Sequence, residues 1–228
     1  MPSAFAEPLR AAILDLDGTM VDTLGDFHAA LSRMLQELAL PPVSAEAVAG
    51  FIGKGTEHLL RRTLAHVGAP EHLYPQAWDR YFEAYRRING QFSRVYPGVE
   101  DGIAALRAAG LRLACVTNKP GEFARGLLQA KGLVCAFDAV FGGDAFERRK
   151  PDPLPLLKTC EALATVPAAT LMIGDSANDA AAARAAGCPV LLVTYGYNHG
   201  EPARRVDADA WLDSLADVGE LLPAARGA

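Results

Sequence analysis

Apolar residues follow two different spacings along the chain. Ala11–Leu16 is a short run without polar alternation, which is typical of a strand buried in a parallel sheet. Between residues 25 and 94 the apolar positions instead recur at helical intervals, as at Phe27, Leu31 and Leu35. The pattern predicts a first strand followed by an all-helical segment.

After residue 95, predicted strands and helices alternate. The further strands are predicted at Leu111–Thr117, Ala139–Phe141, Thr170–Ile173 and Val190–Val193. The helices between them are predicted at Val99–Ala109, Pro120–Gln129, Pro153–Ala164 and Ala177–Ala186. This alternation indicates an α/β fold, a doubly wound, Rossmann-like parallel sheet with helices on both faces.

The two patterns divide the chain into two predicted domains. Residues 1–24 and 95–228 would form the α/β core domain, and residues 25–94 a small all-helical cap inserted after strand one. Doubly wound folds bind their ligands outside the carboxyl ends of the strands. We therefore expect the cap to lie over that edge of the sheet.

Composition and charge restrict the partners. The chain has 228 residues, half of them apolar, and a formal net charge of -5. It lacks the excess of Lys and Arg that nucleic acids and anionic membranes require. Residues 1–10 lack the pattern of a signal peptide, and no apolar run is long enough to cross a bilayer, so we expect a cytoplasmic protein. The four cysteines have no CxxC spacing, which favours packing thiols over a zinc site.

Two carboxylates stand where the first predicted strand ends. Because side chains alternate along a strand, Asp15 and Asp17 project to the same side. Two close carboxylates repel each other and favour a hard cation such as Mg²⁺. Gly18 permits a tight turn, and Thr19 would cap it or donate a hydroxyl. The alternative is that Asp17 and Gly18 simply end the strand with turn chemistry.

Polar residues also follow the second predicted strand. Thr117 and Asn118 precede a helix that Pro120 begins, and the N–H groups there, with the Thr117 hydroxyl, offer a site for an anion. Helix capping would explain Thr117 and Asn118 equally well. Lys119 stands at the end of the helix where the dipole disfavours a cation, which indicates a nearby anion.

A basic run precedes the helix predicted at Pro153–Ala164. Arg148 and Arg149 are typical of a solvated surface. Lys150 differs because Pro151 fixes the chain beside it, and an ammonium group is a good partner for phosphate. The sequence therefore favours Lys150 as the phosphate-binding member of the run.

Two acids follow the strand predicted at Thr170–Ile173. Asp175 stands at the strand end, where it would complete a metal site with Asp15. Asp179 lies three residues after Ser176, a spacing that predicts a capping box. Asp179 would alternatively orient the metal site from behind.

These four segments, each at a strand end, resemble the motifs of the haloacid dehalogenase superfamily of aspartyl phosphotransferases. Asp15–Thr19 resembles the first motif, Thr117 the second and Lys150 the third. Gly174–Asp175 with Asn178–Asp179 resembles the fourth. The resemblance covers essentially the whole chain and includes the helical insertion after the first strand.

The resemblance implies a role for each residue. Asp15 would be the nucleophile that forms an aspartyl phosphate, and Asp17 the general acid and base. Mg²⁺ would be held by Asp15, the Asp17 carbonyl and Asp175, with Asp179 behind them. The groups that would hold the transferring phosphate oxygens are Thr117, the Asn118 amide and Lys150.

Within the superfamily the chain is similar to the phosphoglycolate phosphatases. The segments that carry this similarity are Phe51–Gly55, Thr117–Pro120, Gly142–Asp144 and Thr194–Asn198. It implies hydrolysis of 2-phosphoglycolate, with Gly53, Lys54 and Gly55 in a cap loop that faces the active site. Lys54 would either pair with the substrate carboxylate or be solvated.

Other functions fit parts of the same pattern. A phosphatase of another small phosphorylated metabolite, such as a sugar phosphate, and a phosphomutase are the alternatives. A dehalogenase is disfavoured because Asp17, Lys150 and the acidic fourth motif serve phosphate and metal. A silent binding module is disfavoured because no required acid or base is replaced. The sequence leaves open whether the protein is a monomer or a homodimer, and what His199 does.

Overall fold

The structure is a computed structural model that describes residues 8–222. Residues 1–7 and 223–228, which the sequence assigns to the core domain, lie outside the described residues. Most of the segment considered for a signal peptide lies outside them as well. Among the helices of residues 8–222, none combines the length and apolar character needed to span a membrane.

A six-stranded parallel sheet forms the centre of the core. The strands of the structure are β1 Ala11–Leu14, β2 Val21–Asp22, β3 Arg94–Val95, β4 Arg112–Val116, β5 Ala139–Phe141, β6 Thr170–Gly174, β7 Val190–Val193 and β8 Ala210–Leu212. The large sheet has the order β5-β4-β1-β6-β7-β8, and β2 and β3 form a short antiparallel ribbon. The predicted α/β class and all five predicted strands are confirmed.

Helices fill the connections between the strands. They are α1 Leu24–Glu37, α2 Ala45–Ala49, α3 Thr56–His66, α4 Tyr74–Ile88, α5 Val99–Ala108, α6 Gly121–Ala130, α7 Leu154–Ala162, α8 Ala177–Ala186 and α9 Val218–Leu221. Short 3₁₀ turns lie at Glu71–Leu73, Val134–Ala136, Pro167–Ala169, Ala203–Arg205 and Leu215–Asp217. The helices α1 to α4 follow one another between β2 and β3, as the early helical pattern predicts.

The side chains of β1 alternate between two apolar layers. Leu14 packs in a cluster with Leu106 of α5 and Leu127 of α6, whereas Ile13 packs on the other face with Leu156 of α7. Leu14 is also in register with Cys115 of β4 and with Ile173 of β6. The residues that follow these three strands therefore meet at one edge of the sheet.

The helices α1 to α4 have an apolar cluster of their own. Leu31, Leu60 and Tyr81 are fully buried in it, and Phe123 of α6 joins it from the core. The carboxylate of Asp26 in α1 accepts hydrogen bonds from the N–H groups of Gly90 and Phe92, both at 2.7 Å. The chain entering the helical segment is thus bonded to the chain leaving it. The division at residues 25 and 94 stays a prediction.

Three short strands were not predicted from the sequence. β8 has three residues at the edge of the sheet, and β2 and β3 have two residues each. Segments this short contain too few positions for a hydrophobic period to be recognised. They depend on pairing with β7 and with each other, which the local sequence does not reveal.

Candidate active site

Strand ends and loops bring buried charged side chains together beneath the helical segment. Asp15 and Asp17 follow β1, and Asp175 follows β6. Lys119 follows β4, and the other two charged residues are Lys150, which precedes α7, and Asp179, which lies in the first turn of α8. Each of these six is at most 9% exposed. The packing of the sheet thus assembles four acids and two lysines away from water.

Asp15 lies at the centre of this cluster. Its Oδ1 accepts a hydrogen bond from the Leu16 N–H at 2.7 Å and lies 3.0 Å from Lys150 Nζ. Carboxylate oxygens of Asp15, Asp175 and Asp179 lie within 4.8 Å of one another. The Asp15 carboxylate therefore faces a cationic group and two further carboxylates.

Lys150 and Asp179 form a second buried pair. Lys150 Nζ donates to Asp179 Oδ1 at 2.7 Å. The other oxygen, Asp179 Oδ2, accepts from the Ser176 N–H at 3.1 Å and from the Ser176 hydroxyl at 2.8 Å. Asp179 thus bonds Ser176 at the start of α8, as the capping-box spacing predicts, and also fixes Lys150 beside Asp15.

Asp175 is held by two donors from different loops. The Thr19 hydroxyl donates to Oδ1 at 3.1 Å, and the Tyr197 N–H donates to Oδ2 at 2.6 Å. Gly18 has φ +86°, and a Cβ at this position would collide with the Asp175 carboxylate. The turn after β1 therefore requires glycine for both its backbone conformation and its close approach to Asp175.

Asp17 is paired with a lysine that the sequence singles out only weakly. Lys119 Nζ lies 2.9 Å from Asp17 Oδ1 and 3.2 Å from Oδ2. The side chain of Lys119 is 1% exposed. Because a buried ammonium needs an anionic partner, this pair accounts for a cation in a position that the dipole of α6 disfavours.

Thr117 and Asn118 do not cap α6. That helix begins at Gly121, whose N–H donates to Asp144 Oδ1 at 2.8 Å. The Asn118 side-chain amide instead donates to the carbonyls of Lys150 at 2.9 Å and Gly53 at 3.0 Å. The capping alternative for Thr117 and Asn118 is therefore wrong, and both residues line the cavity next to Asp15. Because the side-chain amide of Asn118 already donates to two carbonyls, the backbone N–H of Asn118 is the donor that would bind an anion.

A small cavity separates the helical segment from the acids. Its volume is about 30 Å³, and its lining includes Asp15, Asp17, Lys119, Gly53 and Gly55. Lys54 is exposed and does not belong to this lining. The structure thus brings two of the three predicted loop residues to the site and leaves the third at the surface.

Burial dominates the ionisation of the central groups. Burial raises the pKa of Asp15 from its ordinary 3.8 to about 7. The ammonium of Lys150 lowers this pKa in part, and the carboxylate of Asp179 raises it further. Burial, then Asp179 and Asp15, also hold the pKa of Asp175 well above its ordinary value. Burial lowers the pKa of Lys150, but Asp15 and Asp179 outweigh it and leave the pKa above its usual range.

These oxygen donors fit a divalent magnesium ion. Mg²⁺ prefers hard oxygen ligands and binds through one or two carboxylates and water. Oxygens of Asp15 and Asp175 are close enough to share one ion, and burial disfavours their charged forms without a cation. The chemistry of the residues present is therefore compatible with Mg²⁺.

Asn178, Asn198 and His199 make contacts around the site that the sequence does not predict. The Asn198 side chain accepts from the N–H of Ala177, the first residue of α8, at 2.9 Å. Asn178 donates to the Gly53 carbonyl at 3.2 Å and lies 3.4 Å from the ring of His199. His199, whose role the sequence leaves open, thus packs where the core meets the helical segment. These contacts depend on loops that meet only in the folded chain.

The fold and the buried acids at its strand ends define a class of enzyme. The family model described as haloacid dehalogenase-like hydrolase matches residues 12–193. The chain belongs to this family.

Its relatives narrow the class further. The chain is 43% identical over 218 residues to the phosphoglycolate phosphatase of Thiobacillus denitrificans, covering 94% of this chain and 96% of that protein. It is 46% identical over 221 residues to a plasmid-borne phosphoglycolate phosphatase of Cupriavidus necator, covering 96% of this chain and 95% of that protein. A solved structure of a predicted phosphoglycolate phosphatase from Haemophilus somnus superposes with a TM-score of 0.90 at 32% identity, covering 95% of this chain and 99% of that one. The chain is thus a hydrolase similar to phosphoglycolate phosphatases.

Proposed function

We propose that the protein is a Mg²⁺-dependent phosphomonoester hydrolase that converts 2-phosphoglycolate to glycolate and phosphate through an aspartyl phosphate on Asp15. The observation that carries this proposal is the position of Asp15, buried, 3.0 Å from Lys150 and beside Asp175. The names of its relatives, at 43% and 46% identity over nearly the whole chain, support the substrate.

The first chemical step transfers the phosphoryl group to the protein. An Asp15 carboxylate oxygen attacks phosphorus, the bond between phosphorus and the ester oxygen breaks, and Asp17 gives a proton to the departing alkoxide. The pair with Lys119 holds Asp17 beside the cavity, where the ester oxygen would lie. The products of this step are glycolate and the Asp15 acyl phosphate.

The second step releases phosphate and restores the carboxylate. Asp17, now without its proton, accepts one from a water molecule as that water attacks the phosphorus of the acyl phosphate. The bond between phosphorus and the Asp15 oxygen breaks, and inorganic phosphate leaves. One carboxyl group therefore serves as acid in the first step and as base in the second.

One positive group and two neutral donors would hold the transferring phosphate oxygens. Lys150 contributes an ammonium that Asp179 orients, and Thr117 and the Asn118 N–H contribute neutral donors. Asp15, the Asp17 carbonyl and Asp175 would hold Mg²⁺. When bound, this ion supplies charge neutralisation for the phosphoryl oxygens. Asp179 would not bind the ion itself but would orient the groups that do.

A phosphate-release screen tests the proposal. Purified protein is assayed on 2-phosphoglycolate, several sugar phosphates and other small phosphomonoesters, with Mg²⁺ or with EDTA. We expect Mg²⁺-dependent release with the highest kcat/KM on 2-phosphoglycolate, and its loss in Asp15→Asn. Asp79→Asn, an exposed position on α4, is the matched control and should keep full activity. Preference for a sugar phosphate would contradict the substrate, and activity in Asp15→Asn would contradict the mechanism.

A further inference from the structure

Lys119 has surroundings that differ from those of Lys150. Lys150 lies between Asp15 and Asp179, at the position proposed for the transferring phosphate. Among residues 8–222, the carboxylate within ion-pair distance of Lys119 is that of Asp17. The two buried lysines therefore serve two different parts of the site.

The other side of Lys119 is formed by aromatic rings of the helical segment. Its Nζ lies 4.3 Å from the centre of the Phe27 ring and 4.9 Å from that of Tyr85. Ring faces attract a cation but, unlike a carboxylate, do not neutralise its charge. The Tyr85 hydroxyl is buried and has no hydrogen-bond partner among the described residues. The surroundings of Lys119 thus retain capacity to bind a further polar, anionic group.

The position of Asp17 relates Lys119 to a particular part of the substrate. Asp17 is the residue proposed to protonate the ester oxygen, and Lys119 lies 2.9 Å from it at the wall of the cavity. In 2-phosphoglycolate the carboxylate carbon is two bonds away from that ester oxygen. A cation beside Asp17 is therefore also within reach of the substrate carboxylate.

We propose that Lys119 is the residue that selects a carboxylate on the leaving group, exchanging its pairing with Asp17 for pairing with the substrate carboxylate. This inference rests on the proposed hydrolysis of 2-phosphoglycolate. The exchange keeps the buried ammonium paired throughout, because the substrate carboxylate takes the place of Asp17. A phosphate ester without a carboxylate leaves Lys119 bound to Asp17.

Lys54 is less well placed for this role. It is exposed, it does not line the cavity, and a surface lysine gives little discrimination because water screens its charge. Lys119 is 1% exposed, so its attraction for an anion is screened much less. The structure thus assigns substrate selection to the core lysine rather than to the cap-loop lysine.

Two matched substrates isolate this interaction. 2-Hydroxyethyl phosphate has the skeleton of 2-phosphoglycolate with a CH₂OH group in place of the carboxylate. The quantity measured is the ratio of kcat/KM for 2-phosphoglycolate to that for 2-hydroxyethyl phosphate. Damage to Asp17 or to the fold lowers both values and leaves the ratio unchanged, whereas loss of carboxylate binding lowers the ratio.

The test compares Lys119→Met with Lys119→Gln, which removes the charge but keeps a donor for Asp17. We expect both to lower the ratio by about 100-fold, because a buried charge pair loses one partner. Loss of the partner of Asp17 lowers kcat/KM for both substrates, so the additional decrease for 2-phosphoglycolate is the quantity that tests the proposal, and residual activity on 2-hydroxyethyl phosphate would show that each variant is folded. Lys158→Met, an exposed lysine on α7, is the matched control and should keep the wild-type ratio.

Two contrary results are distinguishable. If the wild-type ratio is well above one and Lys119→Met or Lys119→Gln keeps it, or if Lys54→Met lowers it instead, the role of Lys119 is refuted while the proposed function stands. If the wild-type enzyme shows no preference for 2-phosphoglycolate, the proposed substrate and the selective role of Lys119 are both refuted.

Discussion

At the scale of single residues, the site contains more buried carboxyl groups than lysines. Asp15, Asp17, Asp175 and Asp179 face Lys119 and Lys150 in a buried region. Burial raises the pKa of Asp15 to about 7, and it raises that of Asp175 as well. A divalent cation would remove this imbalance, so the ionisation of the acids and metal binding should be linked.

The first prediction concerns pH. Because the folded pKa of Asp15 lies above its ordinary value, the folded protein without metal binds more protons than the unfolded chain. Its stability should therefore fall as the pH rises from about 4 to about 7. Bound Mg²⁺ holds Asp15 deprotonated, so the gain in melting temperature from Mg²⁺ over EDTA should grow across this window. The Asp15→Asn variant should show a smaller change, and an equal gain at every pH would contradict the linkage.

The second prediction concerns Asp179, which reaches Asp15 through Lys150. Asp179→Asn keeps the shape but removes the charge that holds Lys150 at 2.7 Å. We expect Mg²⁺ affinity to fall by about 10-fold to 100-fold, as for other residues that orient metal ligands. Titration of activity with Mg²⁺ measures this shift, with Asp79→Asn as the exposed control. An unchanged Mg²⁺ requirement would show that Asp179 serves only the start of α8.

At the scale of elements, strand register explains why the sequence reveals part of the site. Asp15 and Asp175 follow apolar strands, and their proximity could be predicted because parallel strand ends meet at one edge. The pair between Lys119 and Asp17 could not be predicted, since it depends on how the loop after β4 turns. The carbonyl of Gly53, bonded by Asn118 and Asn178, likewise has no signature in the local sequence.

The third prediction concerns the junction between the helical segment and the core. Asp26 is fully buried and accepts from two backbone N–H groups before β3. Asp26→Asn removes the charge and replaces one acceptor by a donor, so we expect a loss of about 2 kcal/mol in the free energy of unfolding. Urea denaturation measures it, and the control Asp79→Asn should change it by less than about 0.5 kcal/mol. An unchanged midpoint would show that the junction does not depend on this carboxylate.

At the scale of the whole molecule, the helical segment closes over the site. The cavity of about 30 Å³ has room for only one or two water molecules. Gly53 lines this cavity and is bonded by Asn118 and Asn178, so we expect the segment around Gly53 to move away from these two residues when a phosphate ester enters. Closure would in turn exclude bulk water during transfer to Asp15.

The fourth prediction concerns this movement. Amide hydrogens at residues 52–59 should exchange faster than those of α8, because the loop opens without unfolding of the core. Beryllofluoride with Mg²⁺, which mimics the phosphoryl group on Asp15, should slow exchange in the loop. Hydrogen exchange measured by mass spectrometry reports the rates in the loop and in α8, with and without beryllofluoride. If, without ligand, the loop exchanges as slowly as α8, the proposed opening is contradicted.

The most direct test of the central claim is to observe the phosphoryl group on Asp15. The experiment uses the Asp17→Asn variant with p-nitrophenyl phosphate as substrate. Nitrophenolate leaves with little help from an acid, so phosphoryl transfer to Asp15 should remain fast, whereas attack of water on the acyl phosphate should be slow without the Asp17 carboxylate. We predict a burst of one nitrophenolate per enzyme, followed by slow turnover. Borohydride reduction during the burst should convert Asp15 to homoserine, identified by peptide mass spectrometry. Release of phosphate without a burst, with Asp15 unmodified, would contradict the account.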